Sequence, residues 1–267
     1  MFKVRGIYPV LPTIFDEKKE ILWEQTGAII DFAIKMVNGR VPVIVSVTAN
    51  TLEESLAWAK HAEENGAAAL ISMAPYFKPQ SGPRVNTFFR TLSKATKLPI
   101  IIEDGAMLNG SCAGAGLAAE LIKDCENIVA VKAEYFDSIQ MTSVYQDALK
   151  DLGDVLGGGL TCATILHEYN RGARFFTPPV ELTDVFLSLW EAMEAGDEAK
   201  AWEIYAALAP TLMLKAPYPR SSTKGILRRR RVISSEYSRE VSQYTFDSVN
   251  EKEVDVLMGL LQPYLKV

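Results

Sequence analysis

The chain has 267 residues, of which 48% are hydrophobic and 23% are charged, and its formal net charge at pH 7 is −5. Such a composition supplies a sizeable core, and the negative charge argues against a nucleic-acid partner. Because the sequence shows neither a signal-peptide core nor an apolar run of membrane-spanning length, we expect a protein of the reducing cytoplasm with no membrane contact.

Strand and helix patterns alternate along the first 180 residues. Continuous apolar runs bounded by turn residues predict strands over residues 7–15, 41–47, 68–74, 98–103, 127–135, 154–159 and 174–177. Apolar residues at helical spacing predict helices over residues 23–37, 51–66, 85–95, 115–124, 138–149 and 164–170. Thr51 and Glu54 form a capping box at the start of the second helix.

Beyond Glu181 the alternation ends and only helical patterns follow. Two of them flank a turn at Gly196-Asp197, and two more lie near residues 223–231 and 251–265. The basic run over residues 228–231 is interpreted as a solvated helix end, because cations are favourable at helix C-termini.

This order of elements predicts either a (β/α) barrel or a doubly wound sheet. No Gly-x-Gly-x-x-Gly motif follows the first strand, which removes the main reason to prefer a dinucleotide-binding sheet. We therefore predict an α/β fold of the TIM-barrel type over residues 1–184, with a helical extension over residues 185–267 that packs on the barrel.

A lysine in the apolar run 127–135 is the first candidate for chemistry. Side chains alternate along a strand, so Lys132 and Glu134 should point to the same side. Burial disfavours the ammonium form of a lysine, whereas a nearby carboxylate opposes that shift and can shuttle protons. The residues alone leave two interpretations open: amine chemistry, or an ion pair that fills the mouth of a barrel.

Several polar residues share a position at or just after the C-terminal end of a predicted strand, where barrel enzymes carry their active sites. They are Thr13, Thr48, Tyr76, Glu103, Lys132 and Glu134. Core packing does not explain this convergence. Neither the histidines nor Cys112, Cys125 and Cys162 show metal-ligand spacing, so we expect no metal and no cofactor.

The sequence resembles the dihydrodipicolinate synthase / N-acetylneuraminate lyase family of Schiff-base aldolases and dehydratases. The resemblance rests on segments spread over nearly the whole chain: GIYPVLPTIF (6–15), VPVIV (41–45), ANTLEE (49–54), PYF (75–77), LPII (98–101) and NIVAVK (127–132). It implies a (β/α)8 barrel, commonly assembled as a homotetramer. It also implies that Lys132 forms an imine with a 2-oxo acid, such as pyruvate or a 2-keto-3-deoxy sugar acid.

The resemblance also suggests roles for the other candidates. Glu134 matches the acid/base glutamate of members that dehydrate keto-deoxy sugar acids, although it could merely orient the lysine. Glu103 stands where the family has a proton-relaying tyrosine, and the alternative is a carboxylate at the rim. The predicted substrate contacts are Thr13, Thr48, Tyr76, Gly158 and Thr177, with Tyr76 more a pocket wall or a subunit contact than an acid.

Three further departures from the family pattern bear on function. Leu108 matches the arginine of the synthases themselves, which argues against dihydrodipicolinate synthase proper. Phe175 and Ser46 match positions that are commonly glycine, and both would narrow the pocket. A whole βα unit, which carries the carboxylate-binding loop, is missing between Val37 and Asn38, so either the protein lacks it or the sequence omits it.

The leading hypothesis is therefore a Schiff-base lyase on a short 2-oxo acid, working as a homo-oligomer (tetramer or dimer) without nucleic acid. The missing loop and the replaced tyrosine motivate an alternative, a catalytically impaired barrel kept as a binding or assembly module. A third possibility, phosphate binding in the last two loops, has support only from the run Gly157–Gly159.

Overall fold

The computed structural model of the chain describes residues 2–10, 24–75, 82–105, 110–233 and 246–266. The predictions made for Thr13, Tyr76 and Leu108 lie outside these residues. No helix in the described ranges is long and apolar enough to cross a bilayer.

Strands and helices alternate as the sequence predicts. The strands are β1 (Gly6–Ile7), β2 (Ile44–Ser46), β3 (Ala69–Ser72), β4 (Ile100–Asp104), β5 (Ile128–Ala133), β6 (Leu156–Gly157) and β7 (Phe175–Phe176). The helices are α1 (Glu24–Val37), α2 (Leu52–Glu64), α3 (Gly82–Ala95), α4 (Gly114–Asp124), α5 (Ser138–Leu149), α6 (Ile165–Tyr169), α7 (Thr183–Glu194), α8 (Glu198–Lys215), α9 (Pro219–Arg229) and α10 (Ser248–Leu261).

The strands form a seven-stranded sheet in the order β1-β7-β6-β5-β4-β3-β2, and the pairs from β2 to β7 are parallel. A parallel sheet with helices between successive strands confirms the predicted α/β class, and the described residues contain the seven strands counted in the sequence. The central strands β4 and β5 are almost wholly buried, which explains their continuous apolar runs.

Several strands are shorter than predicted for a local reason. Proline has no N–H for a strand ladder. Pro9 accordingly follows β1, and Pro178 and Pro179 follow β7, after which only an isolated bridge joins Val10 to Pro179. The capping box at α2 is confirmed, because the Thr51 hydroxyl accepts the Glu54 N–H and the Glu54 carboxylate accepts the Thr51 N–H.

At the position of the missing unit, the chain turns directly from α1 towards β2. The Asn38 N–H donates to the Ile34 carbonyl at 3.0 Å and so extends the last turn of α1. Asn38 and Gly39 then adopt positive φ angles of 47° and 72°, which reverse the chain. No further strand occurs between α1 and β2, all of which lies in the described range 24–75.

Contacts divide the chain into two compact units. The first contains β2 to β6, α1 to α5 and residues 167–175. Within this unit, the apolar face of α3 is buried. The second contains β1, residues 161–166 and the chain from Phe176 onwards, where α7 and α8 pack against each other across the predicted turn at Gly196. The domain boundary predicted after residue 184 stays a prediction.

Candidate active site

Three charged side chains meet at the ends of β4 and β5 in the first unit. Lys132 is paired in register with Glu103, so both side chains leave the sheet on the same face. The Lys132 Nζ donates to Glu103 Oε1 at 2.8 Å, and it also donates to the carboxylate of Glu134. Lys132 and Glu134 are only 6% and 9% exposed. The predicted side-by-side arrangement of Lys132 and Glu134 is therefore present.

The two carboxylates decide the charge of the lysine. Burial alone would lower the pKa of Lys132, but attraction to Glu103 and Glu134 outweighs it, and the pKa is raised above its ordinary value. The sequence predicted two opposing effects on this amine, burial and a nearby carboxylate, without deciding between them. In the structure the resting lysine is an ammonium ion, because two negative neighbours favour the charged form more than burial opposes it.

The same contacts shift the pKa values of the two glutamates in opposite directions. Burial would raise the pKa of Glu103, yet its interactions with Lys132 prevail and the pKa is lowered, so this group stays a carboxylate. Burial and repulsion from Glu103 together raise the pKa of Glu134 in spite of its bond to Lys132. Of the two, Glu134 is therefore better suited to accept a proton from the lysine and return it.

The glycine run 157–159, which begins in β6, serves close packing. Gly157 is paired in register with both Lys132 and Phe175. A Cβ atom on Gly157 would overlap three carbons of the Phe175 ring, the farthest of the three, Cε1, lying at 2.6 Å. A Cβ on Gly159 would overlap the β5 backbone, 2.6 Å from the Glu134 Cα. The Gly158 N–H donates to the Phe175 carbonyl at 3.0 Å, so that amide is used within the sheet.

A buried aspartate that the sequence analysis missed supports the two strand ends. Asp104 follows Glu103, and its carboxylate accepts the backbone N–H groups of Ala113 at 2.7 Å and Gly114 at 2.9 Å, where α4 begins. It also accepts the hydroxyls of Tyr135, at 3.2 Å, and of Tyr145. Burial, reinforced by the Asp104 charge, raises the pKa of both tyrosines, which therefore stay neutral donors. One signal for Asp104 was available in the sequence. Ala113, at the N-cap of α4, has no side chain that can cap the helix, so the acceptor has to come from another segment.

The structure describes some of the other predicted substrate-binding residues but not all of them. Thr48 follows β2, and its hydroxyl accepts the Met73 N–H at 2.9 Å, which ties the end of β2 to the end of β3. Thr177 belongs to the second compact unit and follows β7. Thr13 and Tyr76 fall outside the described residues. The substrate roles of these four residues and of Gly158 stay predictions.

Another buried lysine, Lys215, lies in the second compact unit. The Lys215 Nζ donates to Glu181 and to the Thr223 hydroxyl, the latter at 2.8 Å. Burial lowers the pKa of Lys215, and attraction to Glu181 offsets only part of that effect. Lys215 therefore resembles Lys132 in being a buried lysine paired with a glutamate, but it contacts one glutamate where Lys132 contacts two.

Comparison with known proteins gives a consistent result. The sequence profile of the Dihydrodipicolinate synthetase family matches residues 16–239. The chain is 27% identical over 218 residues to the 4-hydroxy-tetrahydrodipicolinate synthase of Bacillus subtilis (strain 168), covering 81% of this chain and 72% of that protein. Identity to the enzyme of the same name from Methanopyrus kandleri is also 27%, over 209 residues, covering 78% and 68%.

Solved structures show the same fold. Dihydrodipicolinate synthase from Aquifex aeolicus superposes with a TM-score of 0.83 at 19% identity, covering 99% of this chain and 100% of that one. A prophage protein of the dihydrodipicolinic acid synthase family from E. coli K12, solved in complex with pyruvate, gives 0.80 at 19% identity, covering 97% and 98%. At these identities the likeness shows the fold alone.

Proposed function

This chain belongs to the dihydrodipicolinate synthetase family, and from that premise we propose that it is a class I lyase whose Lys132 forms a Schiff base with a short 2-oxo acid. One observation carries the proposal: a lysine Nζ at the end of a buried strand, held between the carboxylates of Glu103 and Glu134. Pyruvate and 2-keto-3-deoxy sugar acids are the substrates we favour, and no metal or cofactor is needed for this chemistry.

Imine formation requires a free amine, and we assign its deprotonation to Glu134, whose carboxylate accepts a hydrogen bond from the Lys132 Nζ. Glu134 takes a proton from the Lys132 ammonium, and the nitrogen lone pair attacks the keto carbon. The carbonyl oxygen takes one proton from the attacking nitrogen and becomes a hydroxyl, and this hydroxyl leaves as water when Glu134 returns the other proton to it. The resulting iminium withdraws electrons from the adjacent carbon, while the Glu103 carboxylate stabilises the positive charge.

From this iminium, two outcomes are possible. A proton taken from a hydroxyl of the substrate leads to cleavage of a carbon–carbon bond, and a proton taken from the carbon next to the iminium leads to loss of water. Glu134 could accept either proton, since it lies beside the Lys132 nitrogen. Assaying keto-deoxy aldonic acids for pyruvate release against semialdehyde formation separates an aldolase from a dehydratase.

Reductive trapping tests the proposal directly. With pyruvate and borohydride, we expect a covalent adduct on the peptide that contains Lys132, and no adduct in Lys132→Ala. Lys215 is also a buried lysine paired with a glutamate, but it should stay unlabelled. The matched control is therefore Lys215→Met, which should still form the adduct at Lys132. If wild-type protein forms no adduct with any 2-oxo acid, or forms it at Lys215, the proposed function is wrong.

We further propose a homo-oligomer in the cytoplasm. Exposed apolar side chains support self-association: Phe32 and Met36 on α1, and Val256 and Leu260 on α10. Cys112, Cys125 and Cys162, all within the described residues, are thiols and not disulfides, which is compatible with a reducing compartment.

A further inference from the structure

The environment of Lys132 differs sharply between its two neighbouring strands. Glu103, Lys132, Gly157 and Phe175 occupy one register row across β4, β5, β6 and β7. Residues paired in register on parallel strands direct their side chains to the same face of the sheet. The face that carries the Lys132 amine therefore also carries the Phe175 ring, with only Gly157 between them.

The ring of Phe175 fills the place that a side chain on Gly157 would take. Three of its carbons lie so close to Gly157 that a Cβ atom there would overlap them. The ring is 1% exposed and Gly157 is also buried, so this space is closed to solvent. On the β6 side of Lys132, the ring of Phe175 from β7 thus lies over Gly157 as an aromatic wall.

The opposite side of the lysine is polar. Glu103 on β4 accepts a hydrogen bond from the Lys132 Nζ at 2.8 Å, and Glu134 binds the same nitrogen. Carboxylates can accept hydrogen bonds from substrate hydroxyls, whereas an aromatic ring cannot bind them well. Hydroxylated carbons of a substrate are therefore favoured on the β4 side, and an apolar group of limited size is favoured on the β6 side.

We propose that Phe175 is a specificity-determining residue that limits the size of the 2-oxo acid that Lys132 can bind. Its ring occupies the space beside Gly157 on the β6 side of the lysine, so unbranched alkyl extensions of pyruvate are rejected. This inference rests on the proposed imine chemistry at Lys132 and adds a substrate limit to it.

The test compares trapping rates for three 2-oxo acids of increasing length: pyruvate, 2-oxobutyrate and 2-oxopentanoate. Wild-type protein should lose about tenfold in trapping rate for each added methylene, which is the usual discrimination of an apolar pocket. In Phe175→Ala, 2-oxopentanoate should gain at least about tenfold relative to pyruvate. Phe175→Leu should give an intermediate ratio, because leucine refills part of the space.

Two features keep the experiment decisive. Loss of a buried ring also weakens the core, but the ratio between two substrates on one variant does not depend on how much protein is folded. Phe176→Leu is the matched control: Phe176 is the next residue of β7, points to the other face and packs against Trp190, so it should keep the wild-type ratio.

The outcomes separate this inference from the proposed function. A pyruvate adduct at Lys132 whose length dependence is the same in wild type, Phe175→Ala and Phe175→Leu would overturn the size limit and leave the lyase intact. Absence of any adduct at Lys132 would overturn both. A changed ratio in Phe176→Leu as large as that in Phe175→Ala would also overturn the specific role of Phe175.

Discussion

At the scale of single residues, the charge balance around Lys132 determines how the site can work. A lysine between two carboxylates is a poor nucleophile until one of them removes its proton. Glu103 has a lowered pKa and Glu134 a raised one, although both touch the same nitrogen. In the mechanism we propose, Glu103 therefore keeps its negative charge and Glu134 exchanges the proton.

This division predicts a pH dependence. The reaction starts with an ionised Glu134, so activity should fall as the pH drops through its raised pKa. Repulsion from Glu103 contributes to that raised pKa. Removing the charge in Glu103→Gln should therefore lower the pKa of Glu134 and move the acid limb of the kcat/KM profile to lower pH.

The control for this prediction removes a carboxylate elsewhere in the same unit. Glu120 is half exposed and paired with Arg90, so Glu120→Gln should leave the profile unchanged. An acid limb that stays in place or moves to higher pH in Glu103→Gln would contradict the assignment of Glu134 as the group that exchanges the proton.

At the scale of secondary-structure elements, Asp104 connects the pieces that hold the site. Its carboxylate binds the first amides of α4, Tyr135 after β5, and Tyr145 on α5. Its backbone carbonyl accepts the Glu134 N–H at 2.7 Å. One residue next to Glu103 thereby fixes the backbone that carries Glu134.

We expect Asp104→Ala to lower the free energy of unfolding by about 2–4 kcal/mol, because a helix cap is lost and buried donors are left without an acceptor. The comparison is Asp137→Ala, since Asp137 precedes α5 without making a side-chain cap. That change should stay within about 0.5 kcal/mol. Urea denaturation of both variants measures the difference, and equal losses would show that Asp104 does not have this role.

At the scale of the whole molecule, the exposed apolar residues predict self-association. Val249, Val256 and Leu260 lie exposed on α10, and Phe32 and Met36 lie exposed on α1. A chain of 29.5 kDa that buries such surfaces between copies should give a solution mass at least twice that of one chain. Multi-angle light scattering on the purified protein measures this mass, and a strictly monomeric result at micromolar concentration would refute the prediction.

The sequence by itself determined the order of strands and helices, the count of seven strands, the capping of α2 and the shared side of Lys132 and Glu134. These features depend on local patterns: apolar periodicity, turn residues and the alternation of side chains along one strand. The family resemblance added the barrel class and the imine lysine, and the sequence profile match supports that membership.

Only the tertiary structure decided the surroundings of the lysine. The contact between Lys132 and Glu103 and the ring of Phe175 over Gly157 depend on register between strands far apart in the chain. The convergence of two helices on Asp104 likewise joins distant segments. Local patterns do not encode register, so the protonated state of Lys132 and the aromatic wall beside it emerge only when the strands are paired.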